Sequence, residues 1–397
     1  MTALIEHSQH DVLERVHEVA DIIAANAGES ERLGRLSDAS AQAVRDTGVV
    51  RMTQPKEFGG FESHPVDYLK AVIEIGTLDC SAGWVAGVVG VHPHGLAHGH
   101  RELQEELWSE DPDTWIASPY APLGRARPVD GGYQFSGQWP FSSGTDHCAW
   151  VVIGGMVVDS EGAVADPLPK HFVLPRSDYE ILDDSWDVMG LRATGSKDIV
   201  VRDMFVPAHR VIDTQGLADG LPAHDPSREG NPLYRMPRNV VFQGAICAGT
   251  VAAARGTLAA FTAWTRTRES RAGKSSMDTY QLAALGAAAA DIDASMLHLL
   301  TDVERVFDMC VRGETVPLET RLEVRRNQVA ASHRAIAAAD SVFKLSGGGA
   351  LQMRNDLQRQ WRGAQAALHH AGNQAGYVHQ AYGLNLFGHA IPDFVKV

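Results

Sequence analysis

The apolar pattern changes period twice along the chain, and this change restricts the fold more than any single residue does. From residue 11 to about 110 the spacing is helical: Val12, Val16, Val19 and Ile23 recur at four, three and four and line one face. From residue 113 to about 210 the texture becomes short apolar runs at 133–139, 150–153, 171–174 and 199–205, split by Gly, Pro and Asp. An Asp130-Gly131-Gly132 turn precedes the first of them, as strands joined by tight turns require. Residues 211 to about 237 have little periodicity and much Gly, Pro and Asp, which predicts a long loop or lid. Beyond it come long alanine-rich helices in which Met296, Leu300, Val303 and Phe307 again keep the four-three-four spacing. The expected class is α+β, mostly α, with a helical unit over 1–112, a β unit over 113–212, and a helical bundle with its preceding loop over 213–397.

Composition narrows the partners. A net charge of −14 across 397 residues argues against nucleic acid, whose phosphates need a basic contact face. The start of the chain lacks a basic segment followed by an apolar run, and no continuous apolar stretch of about 18 residues occurs, so a soluble cytoplasmic protein with no membrane span is expected. Cys80, Cys148, Cys247 and Cys310 are scattered without a C-x-x-C pair, which predicts buried, reduced thiols.

Several clusters could carry chemistry. Residues 139–147, Trp-Pro-Phe-Ser-Ser-Gly-Thr-Asp-His, follow a predicted strand and mix aromatic surface with hydroxyls, suited to a flat ring rich in heteroatoms or to a turn that satisfies itself. Residues 189–196 form a second Gly- and hydroxyl-rich loop, where Arg192 could meet a phosphate. Ser346, Gly347 and Gly348 begin a third, a flexible loop or a ligand contact. Histidines crowd residues 92–100, yet no H-E-x-x-H or cysteine partner accompanies them, so no metal site is expected. His369 and His370 are the other imidazoles placed to act, and a G-x-S-x-G nucleophile elbow is absent.

Together these stretches resemble the acyl-CoA dehydrogenase superfamily, and within it the oxygenase components of two-component, reduced-flavin-dependent aromatic monooxygenases. The motifs carrying the resemblance are Gln54-Pro55-Lys56-Glu57-Phe58-Gly59-Gly60, Ser81-Ala82-Gly83-Trp84-Val85, Val89-Gly90-Val91-His92, Ser118-Pro119-Tyr120-Ala121-Pro122-Leu123-Gly124, residues 139–147 and 190–196, and Phe205-Val206-Pro207. The resemblance implies a helical N-terminal domain, a β-barrel middle domain, a C-terminal four-helix bundle and a homotetramer. Dehydrogenases of this fold often keep a catalytic glutamate in a Tyr-Glu-Gly-Thr motif. Here Arg362-Gly363-Ala364 is followed by Leu368-His369-His370-Ala371-Gly372, with no carboxylate to remove an α-proton.

The implied activity is hydroxylation or epoxidation of a phenol, indole or polycyclic aromatic through a flavin C4a-hydroperoxide. It uses O2 and a reduced flavin, FADH2 or FMNH2, supplied by a separate NAD(P)H-dependent reductase. An FAD-dependent acyl-CoA dehydrogenase and an amine N-oxygenase are the alternatives. By resemblance, Ser143, with Ser142 behind it, bonds near flavin N5. Trp139 and Phe141 wall the ring, Arg192, Thr194, Gly195 and Ser196 hold the flavin and its phosphate arm, and Ser346 to Gly348 reach the flavin of a neighbouring subunit. Ser143, His92 and His370 are the expected catalytic residues, with Trp84, Ser118, Tyr120, Gln365 and His369 around the substrate.

Overall fold

The computed structural model describes residues 9–218, 220, 225–270, 273–392 and 395. Seven helices come first: α1 Gln9–Glu18, α2 Ala20–Leu33, α3 Asp38–Thr47, α4 Pro65–Leu78, α5 Cys80–Gly90, α6 His92–Leu96 and α7 Arg101–Trp108. Val12, Val16 and Ile23 are fully buried as their spacing predicts, although the helix breaks at Val19, between α1 and α2. Helices α4 and α5 cross at very short range, since a Cβ on Gly83 would lie 2.2 Å from the Gly76 Cα. Asp79 ends α4 and starts α5, its carboxylate accepting from the Ser81 amide.

The strands follow: β1 Ile116–Ala117, β2 Gly124–Val129, β3 Gly132–Ser142, β4 Trp150–Val157, β5 Lys170–Pro175, β6 Glu180–Leu182, β7 Lys197–Pro207 and β8 Val211–Asp213. They form one sheet in the order β6-β7-β3-β2-β4-β5-β8, with β1 parallel to β4. The sheet curls until Phe135 of β3 stacks on Phe172 of β5, ring centroids 4.2 Å apart. Glycines make room for that aromatic interior: a Cβ at Gly124 or Gly137 would come within 2.6 Å of the Phe135 or Trp139 rings.

The predicted loop after β8 holds more structure than expected, a short helix α8 Gln215–Ala218 and two 3-10 turns, Pro226–Arg228 and Pro232–Arg235. Asp225 and Arg228 tie it to Gln104 of α7. The bundle then consists of α9 Arg238–Thr267, α10 Thr279–Val311, α11 Leu318–Phe343 and α12 Asp356–Leu368, with α13 Ala375–Leu386 against α11. Phe343 and Trp361 stack at 4.2 Å to lock α11 on α12. In α10 the buried stripe is Ile292, Ser295, Leu299, Val303 and Val306, and the predicted Met296, Leu300 and Phe307 flank it half-buried.

Among the described residues, two helices, α9 and α10, reach a mean hydropathy of 1.3 over 18 residues, long and apolar enough to cross a membrane by length and composition alone. Alanine produces that value without a continuous run of large apolar residues. The apolar window of α9 is 78% buried inside the protein, whereas that of α10 is only 22% buried.

Candidate active site

Ser143 sits where β3 ends, in a turn clamped from two sides. The Gly144 amide donates to the Thr194 carbonyl (2.8 Å), and Gly144 itself, at φ 74°, lies against Val85 and Val89 of α5. A row of side chains then runs through the Ser143 hydroxyl. Trp84 Nε1 donates to Ser143 Oγ (3.3 Å), Ser143 Oγ is 2.7 Å from Ser196 Oγ, and Ser196 Oγ is 2.6 Å from Thr194 Oγ1. Thr194 Oγ1 in turn donates to the Leu191 carbonyl (2.8 Å).

The proton order in this row is fixed by its ends. A carbonyl only accepts and an indole N–H only donates. Thr194 therefore commits its proton to Leu191, Ser196 donates to Thr194, and Ser143 donates to Ser196. Ser143 is left with one free lone pair, so it presents an acceptor to a ligand N–H. Ser142, next to it, is fully buried, and its hydroxyl has no partner among the described residues.

His370 meets Trp84 edge-on, ring centroids 5.5 Å apart. Its Nδ1 accepts from the Gly372 amide (3.0 Å), which puts the proton of the neutral ring on Nε2. Burial, and then Arg325, push its pKa down to about 4.

A second polar group lies at α6. His92 is buried, with Nδ1 2.9 Å from the Tyr120 hydroxyl and Nε2 without a partner among the described residues. Burial, and then Arg238, lower its pKa to about 3, so the ring is neutral. The Tyr120 ring packs on His171 (4.5 Å) and on Phe242 (5.4 Å), and the Arg238 guanidinium covers it at 4.1 Å.

Helix α9 joins the two groups. Arg238 and Phe242 touch Tyr120, while Gln243 abuts Gly372 beside His370 and Gly249 abuts Trp84. One edge of α9, about 17 Å from residue 238 to 249, thus borders both groups. Buried polar atoms are ordinarily paired, so His92 Nε2, Arg238 Nη2 and Gln243 Oε1 in these groups, without a partner among the described residues, are what a site built for polar ligands leaves open. These groups fit a flavin ring, with its N–H and carbonyl edge, and an oxygen-bearing aromatic beside it.

Residues 245–375 match the family model described as acyl-CoA dehydrogenase, C-terminal domain. The chain is 45% identical to the pigment production hydroxylase of Rhodococcus erythropolis, over 96% of this chain and 97% of that one. It is 39% identical to HsaA, the oxygenase subunit of a flavin-dependent monooxygenase from Rhodococcus jostii strain RHA1, over 96% and 99%. The chain belongs to the flavin-dependent monooxygenase oxygenase components. Its fold is also similar to XiaF from Streptomyces sp., solved with FADH2 and glycerol, with a TM-score of 0.89 at 26% identity over 98% of each chain.

In this monooxygenase the sequence-predicted residues separate into groups. Ser143, Thr194, Ser196, Trp84 and His370 come together, with Ser142 buried beside Ser143 in the chain, and His92 and Tyr120 form the second group, with Ser118 half-buried two residues before Tyr120. Phe141 is 66% exposed, at φ 68°, with its ring edge on Trp186. Gly195, at φ 53°, turns the chain between Thr194 and Ser196.

Trp139 is a correction. It is fully buried inside the sheet, packs on Phe135 and donates to the Ala121 and Gly154 carbonyls, so it cannot wall a ligand. His369 is another: it is exposed just past the end of α12, because adjacent residues there point in different directions. Arg192 pairs with Asp187 (2.5 Å) and faces an outer cleft of about 1000 Å³ that also holds Arg32, Arg354, Arg359 and Arg362. Ser346 accepts from Trp264 Nε1 through its carbonyl and Gly347 lies against Arg268, while Gly348 faces open space. Trp264 is 15 residues along α9 from Gly249, about 22 Å, so the loop does not join its own chain's site.

Sequence reasoning missed His171, Arg238, Phe242 and Gln243. Arg238 did carry a signal, since a cation at the first residue of a helix opposes the helix dipole. His94 and His98 face each other at 5.7 Å, but His94 Nε2 is engaged by the Leu233 carbonyl, and no group of three metal-ligating side chains occurs among the described residues. The four cysteines are buried and free, and burial pushes the Cys247 and Cys310 thiols up to about 11.

The buried imidazoles have a consequence for acid stability. Burial holds His92 and His98 near a pKa of about 3, and His94 and His370 near about 4. Unfolded histidine titrates near about 6.5, so below that pH the unfolded chain binds more protons and stability falls as pH drops. Asp79, raised to about 6 by burial, works in the opposite sense but involves a single proton. Urea midpoints are expected to fall steadily from pH 7 to pH 5, and a flat profile there would show these rings protonate freely in the folded state.

Proposed function

We propose that this oxygenase component takes reduced flavin from a separate NAD(P)H-dependent reductase and inserts one atom of O2 into an aromatic ring bearing a phenol or a similar donor group. In balanced form, substrate C–H, O2 and reduced flavin yield substrate C–OH, water and oxidised flavin. When bound, the flavin supplies the two electrons and the activation of O2. The observation that carries this reading is the polarised row from Trp84 through Ser143 and Ser196 to Thr194, set beside His370 and joined along α9 to His92 and Tyr120.

The residues divide the work. Ser143, with its open lone pair, would accept from the N5–H edge of a bound flavin and hold that edge in place. His370, with its proton on Nε2, donates from the other side of Trp84. Trp84 and Phe141 exclude water from the reacting edge, and Ser142, fully buried, backs the turn that presents Ser143. His92 and Tyr120 hold the substrate oxygen. A neutral His92 is a hydrogen-bond partner rather than a strong base. Thr194 and Gly195 shape a turn that would carry the flavin, and Arg192 would meet its phosphate arm at the arginine cleft.

The enzyme is read as a homotetramer. The exposed apolar face of α10, with Tyr280 and Leu297, and the exposed Leu386 and Phe387 offer surface for other copies. Ser346 to Gly348 would then approach a neighbour's flavin.

Rapid mixing of enzyme and anaerobically reduced FMN or FAD with oxygenated buffer, with and without a phenol, tests the activity. The expected result is little hydrogen peroxide and a hydroxylated product, from a preparation that scatters light as four chains. Peroxide release equal to that of free flavin, together with bleaching of bound FAD by an acyl-CoA, would favour a dehydrogenase instead.

A further inference from the structure

Gly372 is held on both sides. Its amide donates to His370 Nδ1 (3.0 Å), so the imidazole caps the 3-10 turn Ala371–Asn373, and its carbonyl accepts from Nη2 of Arg325 on α11. The same turn is tethered again at Asn373, whose Nδ2 donates to Thr250 Oγ1 of α9 (2.9 Å) and whose carbonyl lies 2.9 Å from His333 Nε2 of α11. Arg325 is only 5% exposed. Its Nη1 is 3.4 Å from Gln328 Oε1, its Nε has no partner among the described residues, and no carboxylate pairs with it there. Burial lowers its pKa to about 10, so the guanidinium is charged at neutral pH. Buried cations are ordinarily paired with an anion, and one without such a partner costs folding free energy.

His370 is the group placed to use this charge. As the cap of the turn, its Nδ1 has to keep a lone pair for the Gly372 amide, and a proton on that nitrogen would break the cap. Around the ring, α5 brings Trp84, α9 brings Gln243 beside Gly372, and α11 brings Arg325 and, at Asn373, His333; the adjacent His369 is exposed. Among the described residues Arg325 is the one charged group that acts on the His370 ring.

We propose that Arg325 is a positioning residue for His370: it fixes the Gly372 backbone that the ring caps, and its unpaired charge keeps a second proton off the imidazole. This rests on the reading of His370 as the donor beside Trp84. His370 then stays a neutral Nε2–H donor of fixed orientation from pH 8 to pH 5. Without Arg325 the ring takes a proton on Nδ1, releases Gly372 and brings a cation to the reacting edge.

The test uses the full chain without flavin and follows tryptophan emission, since an imidazolium beside an indole quenches it more than the neutral ring does. The part due to His370 is the difference between each protein and its His370→Gln counterpart. In wild type this difference is expected to stay nearly flat from pH 8 to pH 5. Arg325→Gln keeps a donor for the Gly372 carbonyl and removes the charge. Its inflection is expected about one pH unit higher, leaving the ring about half protonated at pH 5 against about a tenth in wild type. Arg325→Lys retains the charge and follows wild type, and each variant keeps native circular dichroism. With reduced flavin and a phenol, the ratio of product to peroxide in Arg325→Gln falls between pH 7 and pH 5, where wild type holds it constant. A wild-type inflection near pH 6.5 that vanishes in His370→Gln overturns the proposal without any Arg325 variant. An Arg325→Gln profile as flat as wild type, or the same inflection in Arg325→Lys as in Arg325→Gln, overturns it too. The emission result obtained as expected from a protein that makes only peroxide at every pH would overturn the proposed activity and leave Arg325 in its role.

Discussion

Trp139→Ala is expected to lower stability by about 3–5 kcal/mol, the range for removing a fully buried large aromatic. The ring packs against Phe135, and its N–H is shared between the Ala121 and Gly154 carbonyls, which would both lose a donor. Gly124 and Gly137 are shaped around the same ring, so the cavity could not close without moving the sheet. Denaturant unfolding reads the loss directly. The measurement also decides what this residue does. A pocket residue at that position would leave the unfolding midpoint nearly unchanged and weaken flavin binding, and that outcome would return Trp139 to the site wall.

Ser143→Ala should cost about 100-fold in coupled product formation, comparable to deleting one preorganised hydrogen-bonding group from an active site. The mutation removes the free lone pair and leaves Trp84 Nε1 without an acceptor. Ser196→Ala is milder in expectation: Ser143 keeps its hydroxyl but loses the acceptor that orients its proton. The sensitive readout is the ratio of hydroxylated product to hydrogen peroxide at fixed flavin oxidation. If Ser143→Ala still converts every oxidised flavin into product, the polarised row has no part in the chemistry.

The two residues also show where the sequence was readable. Trp139 and Phe141 are two apart in a strand, and simple alternation would place them on one face. The register of β3 against β7 shifts between Trp139 and Ser142, and Phe141 adopts a left-handed conformation, so one ring goes inside and the other out. No local pattern announced that bulge. Ser143 was readable because its motif is contiguous: the turn, the glycine and the hydroxyls all lie within a few residues.

His370 and Tyr120 were visible as residue types in suggestive places, but their partners were not. Tyr120 meets His171 and Arg238 across long stretches of chain, and Gln243 meets the Gly372 backbone in the same way. The segment before α9 was expected to be a loop because it lacks periodicity. Its short turns are held by Asp225, Arg228 and Gln104, pairings that no spacing rule encodes.

The sequence by itself determined the helix–sheet–helix order, the buried faces of α1 and α2, the family and the hydroxyl-rich turns, because periodicity and contiguous motifs are local properties. Only the tertiary structure decided that Trp139 belongs to the core, that His369 is outside, and that Arg238 covers the Tyr120 ring with its Nη2 unpartnered among the described residues. Those outcomes depend on which distant backbone segments a residue meets, and on whether a buried polar atom finds a partner there, and neither is encoded at any fixed separation along the chain.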